Sequence, residues 1–312
     1  MSPASAAAPR VVSLLASATE TLCAIGAEKL LVGRSHECDW PASVHNLPVC
    51  SRPKFKISGS SAQLDQRVRD VLSQALSIYE VDVDRLRELA PDVILTQDHC
   101  EVCAVSTRDL DAAACALLPS KPRLVILSPH TLADIYRGMH DIGAAVGASE
   151  QAERLSAALR EGLAHLEALT KSLPPVKVVG LEWIDPPMAT GHWMPALIRA
   201  AGGRDLLGAE DASSRRLVPG ELEAADPDCI LAFPCGWDLK KAREEMKALE
   251  RRTEWPRLRA VREGRVFIFD GNQHFNRPGP RLLHAAEMLA GIFHPGAFPA
   301  PGQGVDWDRY TP

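Results

Sequence analysis

One arrangement occurs twice in this chain and constrains its fold more than any other feature: a helical stretch that stops at Pro-Asp, then a short apolar strand, then a polar loop. In the first copy Val83–Ala90 has a helical pattern, Pro91-Asp92 ends it, Val93–Thr96 reads as a buried strand, and Gln97-Asp98-His99-Cys100 follows. In the second, Gly220–Asp226 is helical, Pro227-Asp228 ends it, Cys229–Ala232 is the strand, and Phe233-Pro234-Cys235-Gly236-Trp237 is the loop. Proline cannot continue a helix and restricts the residue before it, so each Pro-Asp marks a boundary. Helices alternating with apolar strands build parallel α/β sheets, and two copies predict two lobes of similar design.

The N-terminal part has the same rhythm. Arg10–Leu15 is a β-rich run, a helical pattern reaches Ile25 with Ser17 or Thr19 as its cap, and Leu30–Gly33 is the next strand. Between the two lobes Ser149–Ser172 forms the longest clean helical pattern. Leu155, Leu159, Leu163 and Leu166 mark one face, Ala152 and Leu169 extend it, and Pro174-Pro175 ends it. The predicted architecture is therefore α/β, with two Rossmann-like lobes joined by one long spine helix and a ligand cleft between the lobes. The N-terminal lobe spans 10–147, the linking helix 148–173, the C-terminal lobe 176–296, and 297–312 is a tail, read as loop from Pro299 to Pro312. A stiff helical link predicts little relative motion of the lobes.

A chain of 312 residues suits two lobes of ordinary size. A net charge of -5 gives no basic stripe for nucleic acid, and no apolar run approaches a membrane span. The first ten residues lack the basic start and apolar run of an export signal, so the expected setting is cytoplasmic; a periplasmic one follows if the N-terminus was trimmed. Eight cysteines, with no signal, read as reduced thiols rather than a disulfide framework.

Arg10-Val11-Val12-Ser13-Leu14-Leu15-Ala16-Ser17-Ala18-Thr19-Glu20, Val32-Gly33-Arg34-Ser35 with Asp39-Trp40-Pro41, the Pro-Asp strand to Leu95, Asp185-Pro186-Pro187 with Thr190-Gly191, and Arg277-Pro278-Gly279-Pro280-Arg281-Leu282 occur in this order. Together they resemble the substrate-binding proteins of cobalamin and iron-siderophore ABC importers, and most of all the cobalamin-binding branch. The resemblance implies binding without turnover of a metal-chelate ligand, a corrinoid first, with no cofactor required. It also implies docking on an ABC permease through one surface carboxylate per lobe. Asp84 fits that position in the first lobe, whereas the second has Gly220 there and Glu221 one step displaced.

On that fold the strand-end loops converge on the ligand. The ligand-binding candidates are Ser17, Thr19, His36, Asp39, Trp40, Gln97 and His99 from the first lobe. Trp183, Pro187, His192, Trp193, Trp237, His274, Phe275 and Arg277 are those from the second. Trp and Pro surfaces suit a broad ring and imidazole suits a metal centre. A metal ion held by His36, Cys38, His99, Cys100 and Cys103 is a second reading. The Cys-x-x-Cys spacing at Cys100 and Cys103 also fits a redox pair or a structural thiol pair. An iron chelate, haem or a free metal ion is the alternative ligand, and a metal-dependent enzyme the alternative class. Neither a phosphate loop, a Gly-x-Ser-x-Gly elbow nor His-Glu-x-x-His is present to support an enzyme.

Overall fold

The computed structural model describes residues 8–73, 78–98, 105 and 119–311. Its contacts divide the chain into two compact units. The first holds residues up to Ile57, Asp70–Ser128 and Asp134–Ala157; the second holds Ser58–Arg69, Pro129–Ala133 and Ala158–Pro312.

In the first unit β1 (Val11–Ser13), β2 (Leu31–Arg34), β5 (Val93–Gln97) and β6 (Arg123–Leu127) form a parallel sheet in the order β2-β1-β5-β6. A separate antiparallel pair joins β3 (Ser51–Pro53) to β4 (Tyr79–Val81). Because all four sheet strands run the same way, Ser13, Arg34 and Gln97 finish at one edge. The core packs Val11, Leu22, Leu31, Val93 and Leu95 against Ile142 and Ala152.

The second unit is built on β7 (Val176–Ile184), with β8 (Pro187–Ala189), β9 (Gly203–Asp205), β10 (Cys229–Ala232), β11 (Val266–Phe269) and β12 (Trp307–Arg309). The sheet order is β12-β11-β10-β7-β8, and β9 also pairs with β7. β9, β7, β10 and β11 are parallel, whereas β8 and β12 are antiparallel to their neighbours. Val179, Leu181, Ile230, Ile268, Leu249 and Trp255 lie in its core.

The repeated Pro-Asp unit has the same construction in both places. The helices Val83–Leu89 and Glu221–Ala225 each end in a left-handed residue, Ala90 at φ 40° and Asp226 at φ 41°. Asp92 Oδ2 then accepts the Arg10 N–H at 2.8 Å, and Asp228 Oδ2 accepts that of Lys177 at 2.9 Å. Each aspartate thus clamps the start of its strand to the neighbouring one, with a charge-assisted bond to backbone.

The helix Ser149–Thr170 runs from the first unit into the second. Ala152, Leu159, Leu163 and Leu166 are buried as the apolar stripe requires, but Leu169 is 47% exposed and does not belong to it. Within the second unit this helix meets the helix Leu282–Phe293 at Gly162, where a Cβ would lie 2.4 Å from the end of the Leu283 side chain.

Two expectations on the fold need correcting. Ser17 and Thr19 do not cap the first helix: it begins at Ala16 with Leu15 in the cap position, and both residues sit inside its first turns. The tail is not loop throughout. Trp307 and Tyr310 are buried, the Trp307 indole donates to Pro301 O at 2.7 Å, and β12 closes the edge of the sheet beside β11. Burying two aromatics outweighs the Gly- and Pro-rich surroundings that read as loop. Among the described residues no helix is long and apolar enough to cross a membrane.

Candidate functional site

Ligands bind outside the carboxyl ends of parallel strands, where backbone N–H groups and loop side chains are not consumed by the sheet. Each unit presents such an edge.

In the first unit the loop after β2 is tied back onto the sheet. Ser35 N donates to Ser13 O at 2.8 Å, and the Arg34 guanidinium donates to the carbonyls of Ser35 and Cys38. This fixes His36, whose Nδ1 is 2.9 Å from Ser51 Oγ and whose ring packs at 5.3 Å from that of Tyr79. His36 Nε2 is buried without a hydrogen bond, and the nearest carboxylate oxygen, on Glu37, is 3.7 Å away. Burial first, and the Arg34 charge second, push the His36 pKa down to about 4, so the ring is neutral at pH 7. Trp40 is 49% exposed at the outer end of the same loop, one residue beyond Asp39.

Several residues expected to touch ligand are buried or bonded within the fold. Thr19 is fully buried and its hydroxyl donates to Leu15 O and Cys38 Sγ; Ser17 is buried as well. Cys38 is buried, with its sulfur bonded to Ser13 O and Ser35 Oγ. Gln97 is buried at the end of β5. His99, Cys100 and Cys103 lie outside the described residues. The described cysteines Cys23, Cys38, Cys50, Cys229 and Cys235 are all free thiols. Burial raises Cys50 to about 11 and Cys229 to about 12, which leaves those two protonated and inert.

The edge of the second unit is richer in aromatic and imidazole groups. Trp183, near the end of β7, lies 4.7 Å from the buried Trp237 that follows β10, with the rings tilted by 41°. Lys241 Nζ stands 5.3 Å from the Trp237 ring centroid. The Trp183 Nε1 is buried and has no hydrogen-bond partner among the described residues. Next to Trp183, Glu182 accepts Gly191 N–H at 3.0 Å and the Ser214 hydroxyl, which brings the loop after β8 onto the end of β7. His192 on that loop adopts φ 53°, and its Nδ1 is 3.4 Å from His130 Nδ1. Burial and the neighbouring His130 lower the His192 pKa, favouring the neutral ring.

The loops after β10 and β11 interlock. A Cβ on Gly271 would fall 1.8 Å from Pro234 O, so only glycine fits, and Asn276 Nδ2 bridges the carbonyls of Phe233 and Gly271. Phe275, expected at the ligand, is fully buried: it stacks on Phe233 at 5.3 Å and meets Phe269 edge-on at 4.8 Å. Trp193 is buried and donates to Phe275 O at 3.0 Å, Pro187 is buried in β8, and Arg277 is buried two residues after Phe275. His274 turns to Asp306, at 3.1 Å, rather than standing alone as a ligand contact.

The two surface carboxylates differ. Asp84 is exposed in the first turn of its helix and pairs with Arg87. Glu221 is mostly covered, bound by both guanidinium nitrogens of Arg215 and by Val218 N–H. The expected metal set has only His36 and Cys38 among the described residues. The group there that could hold an ion is elsewhere, at His274, His284 and Asp306. Neither His284 nor Asp306 carries a local sequence signal: His284 is one position of a helix and Asp306 lies in the Gly- and Pro-rich tail.

The periplasmic binding protein family profile matches residues 11–272, and the chain belongs to that family of substrate-binding proteins. An ABC transporter substrate-binding lipoprotein of Bacillus subtilis is 24% identical over 296 residues, covering 93% of this chain and 81% of the relative. A periplasmic haem-binding protein from Pseudomonas aeruginosa superposes with a TM-score of 0.69 at 21% identity, covering 93% of this chain and 94% of that one. The periplasmic vitamin B12-binding protein of Vibrio cholerae gives 0.65 at 18% identity, covering 91% and 96%. These likenesses establish the two-lobed binding-protein fold. They also overturn the cytoplasmic expectation, because the relatives are periplasmic proteins or lipoproteins. That expectation rested on a missing signal in ten residues, and such an absence carries no weight against them.

Proposed function

We propose that this protein binds a flat, metal-centred macrocycle, a corrinoid first, and presents it to an ABC permease without altering it. The observation that carries the reading is the presence, at one sheet edge, of an aromatic platform and of the His192 imidazole, whose pKa burial lowers. Trp183 is backed by Trp237, and Glu182, the residue before Trp183, accepts the Gly191 N–H of the loop that carries His192. A broad ring gains from apolar and aromatic surface, and a metal axis takes a neutral imidazole nitrogen. Asn272 and Gln273, on the loop after β11, offer amide groups matched to the peripheral amides of a corrinoid.

Haem is the second reading. It is favoured by Arg281, a cation next to that loop whose guanidinium donates to Gln273 Oε1 and would suit a carboxylate-bearing ring. On either reading Asp84 is the better of the two surface carboxylates for a permease contact, because, although both pair with an arginine, its side chain is 85% exposed against 19% for Glu221.

The test is an absorption titration of aquocobalamin, cobinamide and haem with wild-type protein and with His192→Gln and Trp183→Ala. Saturable band shifts that weaken about tenfold in either variant support the proposal. Equal shifts in all three proteins would remove this edge from ligand binding.

A further inference from the structure

Three side chains from well-separated parts of the chain meet at the far end of the second sheet. His274 lies on the short 3-10 turn after β11, His284 in the first turn of the helix Leu282–Phe293, and Asp306 immediately before β12. His274 Nε2 is 3.1 Å from Asp306 Oδ1, His284 Nε2 is 3.9 Å from Asp306 Oδ2, and the two imidazole rings are 5.2 Å apart. One donor atom from each falls within 4.8 Å of the other two.

Ligand atoms about 2.0–2.2 Å from a zinc-class ion stand about 3–3.5 Å from one another. The donors here are at that spacing or one side-chain adjustment from it. Two imidazoles and a carboxylate are the ligand types such ions take, and three protein ligands leave a position open for water. The burial is graded in the same sense: the His274 side chain is 8% exposed, Asp306 22% and His284 39%, so the site has a floor and an open side. The other nitrogen of His284 faces Glu287 at 3.9 Å, where a carboxylate orients a metal-bound imidazole.

The backbone is committed to this arrangement. His274 holds φ 36°, a left-handed conformation unusual for a side chain of its size. Asp306 is fixed from both sides, its N–H donating to Gly302 O at 2.7 Å and its carbonyl accepting Asp270 N–H at 2.8 Å.

We infer that His274, His284 and Asp306 form a site for a divalent transition cation of the zinc class, which fastens the C-terminal segment carrying β12 to the body of the second unit. The site uses none of Trp183, Trp237 or His192, although His274 adjoins Gln273 on the loop after β11 and His284 follows Arg281 by three residues. Every residue from 294 to 306 lies in the loop that the ion would close, so binding should order that loop and β12 together.

The test uses the full chain stripped of metal by a chelator and then titrated with Zn2+ and, for its visible bands, Co2+. Hydrogen exchange of residues 297–311 is followed in parallel. Wild type should bind one equivalent with a Kd below about 10 µM and protect the segment. His284→Gln, at an exposed helix position that tolerates the change, should bind at least tenfold more weakly without gaining protection. Asp306→Asn should weaken binding likewise, and His192→Gln should leave it unchanged. The inference is overturned if wild type binds neither ion below about 100 µM, if His284→Gln binds as tightly as wild type, or if the metal leaves exchange of 297–311 unaltered.

Discussion

Trp183 and Trp237 lie 4.7 Å apart across β7 and the loop after β10, with Trp237 buried and Trp183 half-buried above it. The lower ring supports the upper one, and the two should respond differently to truncation. Trp237→Ala removes a buried indole and should cost about 3–5 kcal/mol of stability, read from denaturant unfolding. Trp183→Ala should cost less stability, about 1 kcal/mol beyond its partial burial, while weakening macrocycle binding about tenfold. Equal stability losses in both, with binding intact in Trp183→Ala, would mean that neither ring is a platform.

His36 makes stability depend on pH in a definite direction. Its folded pKa, near 4, lies below the unfolded value of 6.5, so below pH 6.5 the unfolded chain takes up the proton first. Stability should be unaffected by this group above pH 6.5 and fall as pH drops from 6.5 towards 4. Discounted for partial exposure, the loss is about 1–2 kcal/mol. Urea unfolding at pH 7 and pH 4.5 measures it, and His36→Gln should flatten this part of the profile. An unchanged slope in the variant would assign the acid sensitivity to other groups.

The twin aspartates offer a test of the repeated design. Asp92→Ala and Asp228→Ala each remove a charge-assisted bond to a backbone N–H at a strand start, and each should cost about 1–3 kcal/mol. The losses should add in the double variant, since the two residues share no partner. Differential scanning calorimetry of the three variants checks both points.

Glu245 anchors a segment that is distant in sequence. Its Oε2 accepts both the N–H and the hydroxyl of Ser61 at 2.8 Å, and its Oε1 accepts Lys241 Nζ at 2.8 Å. Glu245→Ala should cost about 1–3 kcal/mol and speed hydrogen exchange at residues 61–64 more than elsewhere in the helix Ser61–Ser73. Uniform exchange along that helix would show that the carboxylate is not its anchor.

What could be read from the sequence was whatever local chemistry decides. Pro91-Asp92 and Pro227-Asp228 announced two strand entries because proline cannot continue a helix past its first turn, and the structure adds that both aspartates make the same bond. Apolar periodicity located Ala152, Leu159, Leu163 and Leu166 on one buried face. Leu169 was misassigned because periodicity says which residues share a face, not where the neighbouring layer ends. Pairing decided by distant partners left no such trace: β12 is three residues amid Gly and Pro, and its strand character comes from Phe267 and from the burial of Trp307. The site was legible as loops, not as contacts. His36, Trp183 and His192 stand at strand ends as expected, whereas Thr19, Phe275 and Trp193 belong to the packing beneath. His284 and Asp306 were invisible, since their meeting with His274 depends on how the tail folds back.

The central claim is tested most directly by isothermal titration calorimetry of the purified full chain with cobalamin, cobinamide and haem in parallel, at pH 7.5. The account predicts one saturable site for at least one of these macrocycles, with a Kd well below about 100 µM, equivalent to about -5.5 kcal/mol, and the corrinoids ahead of haem. Haem tighter than both corrinoids would move the ligand to the second reading. No saturable binding of any of the three below about 100 µM would contradict the macrocycle assignment altogether.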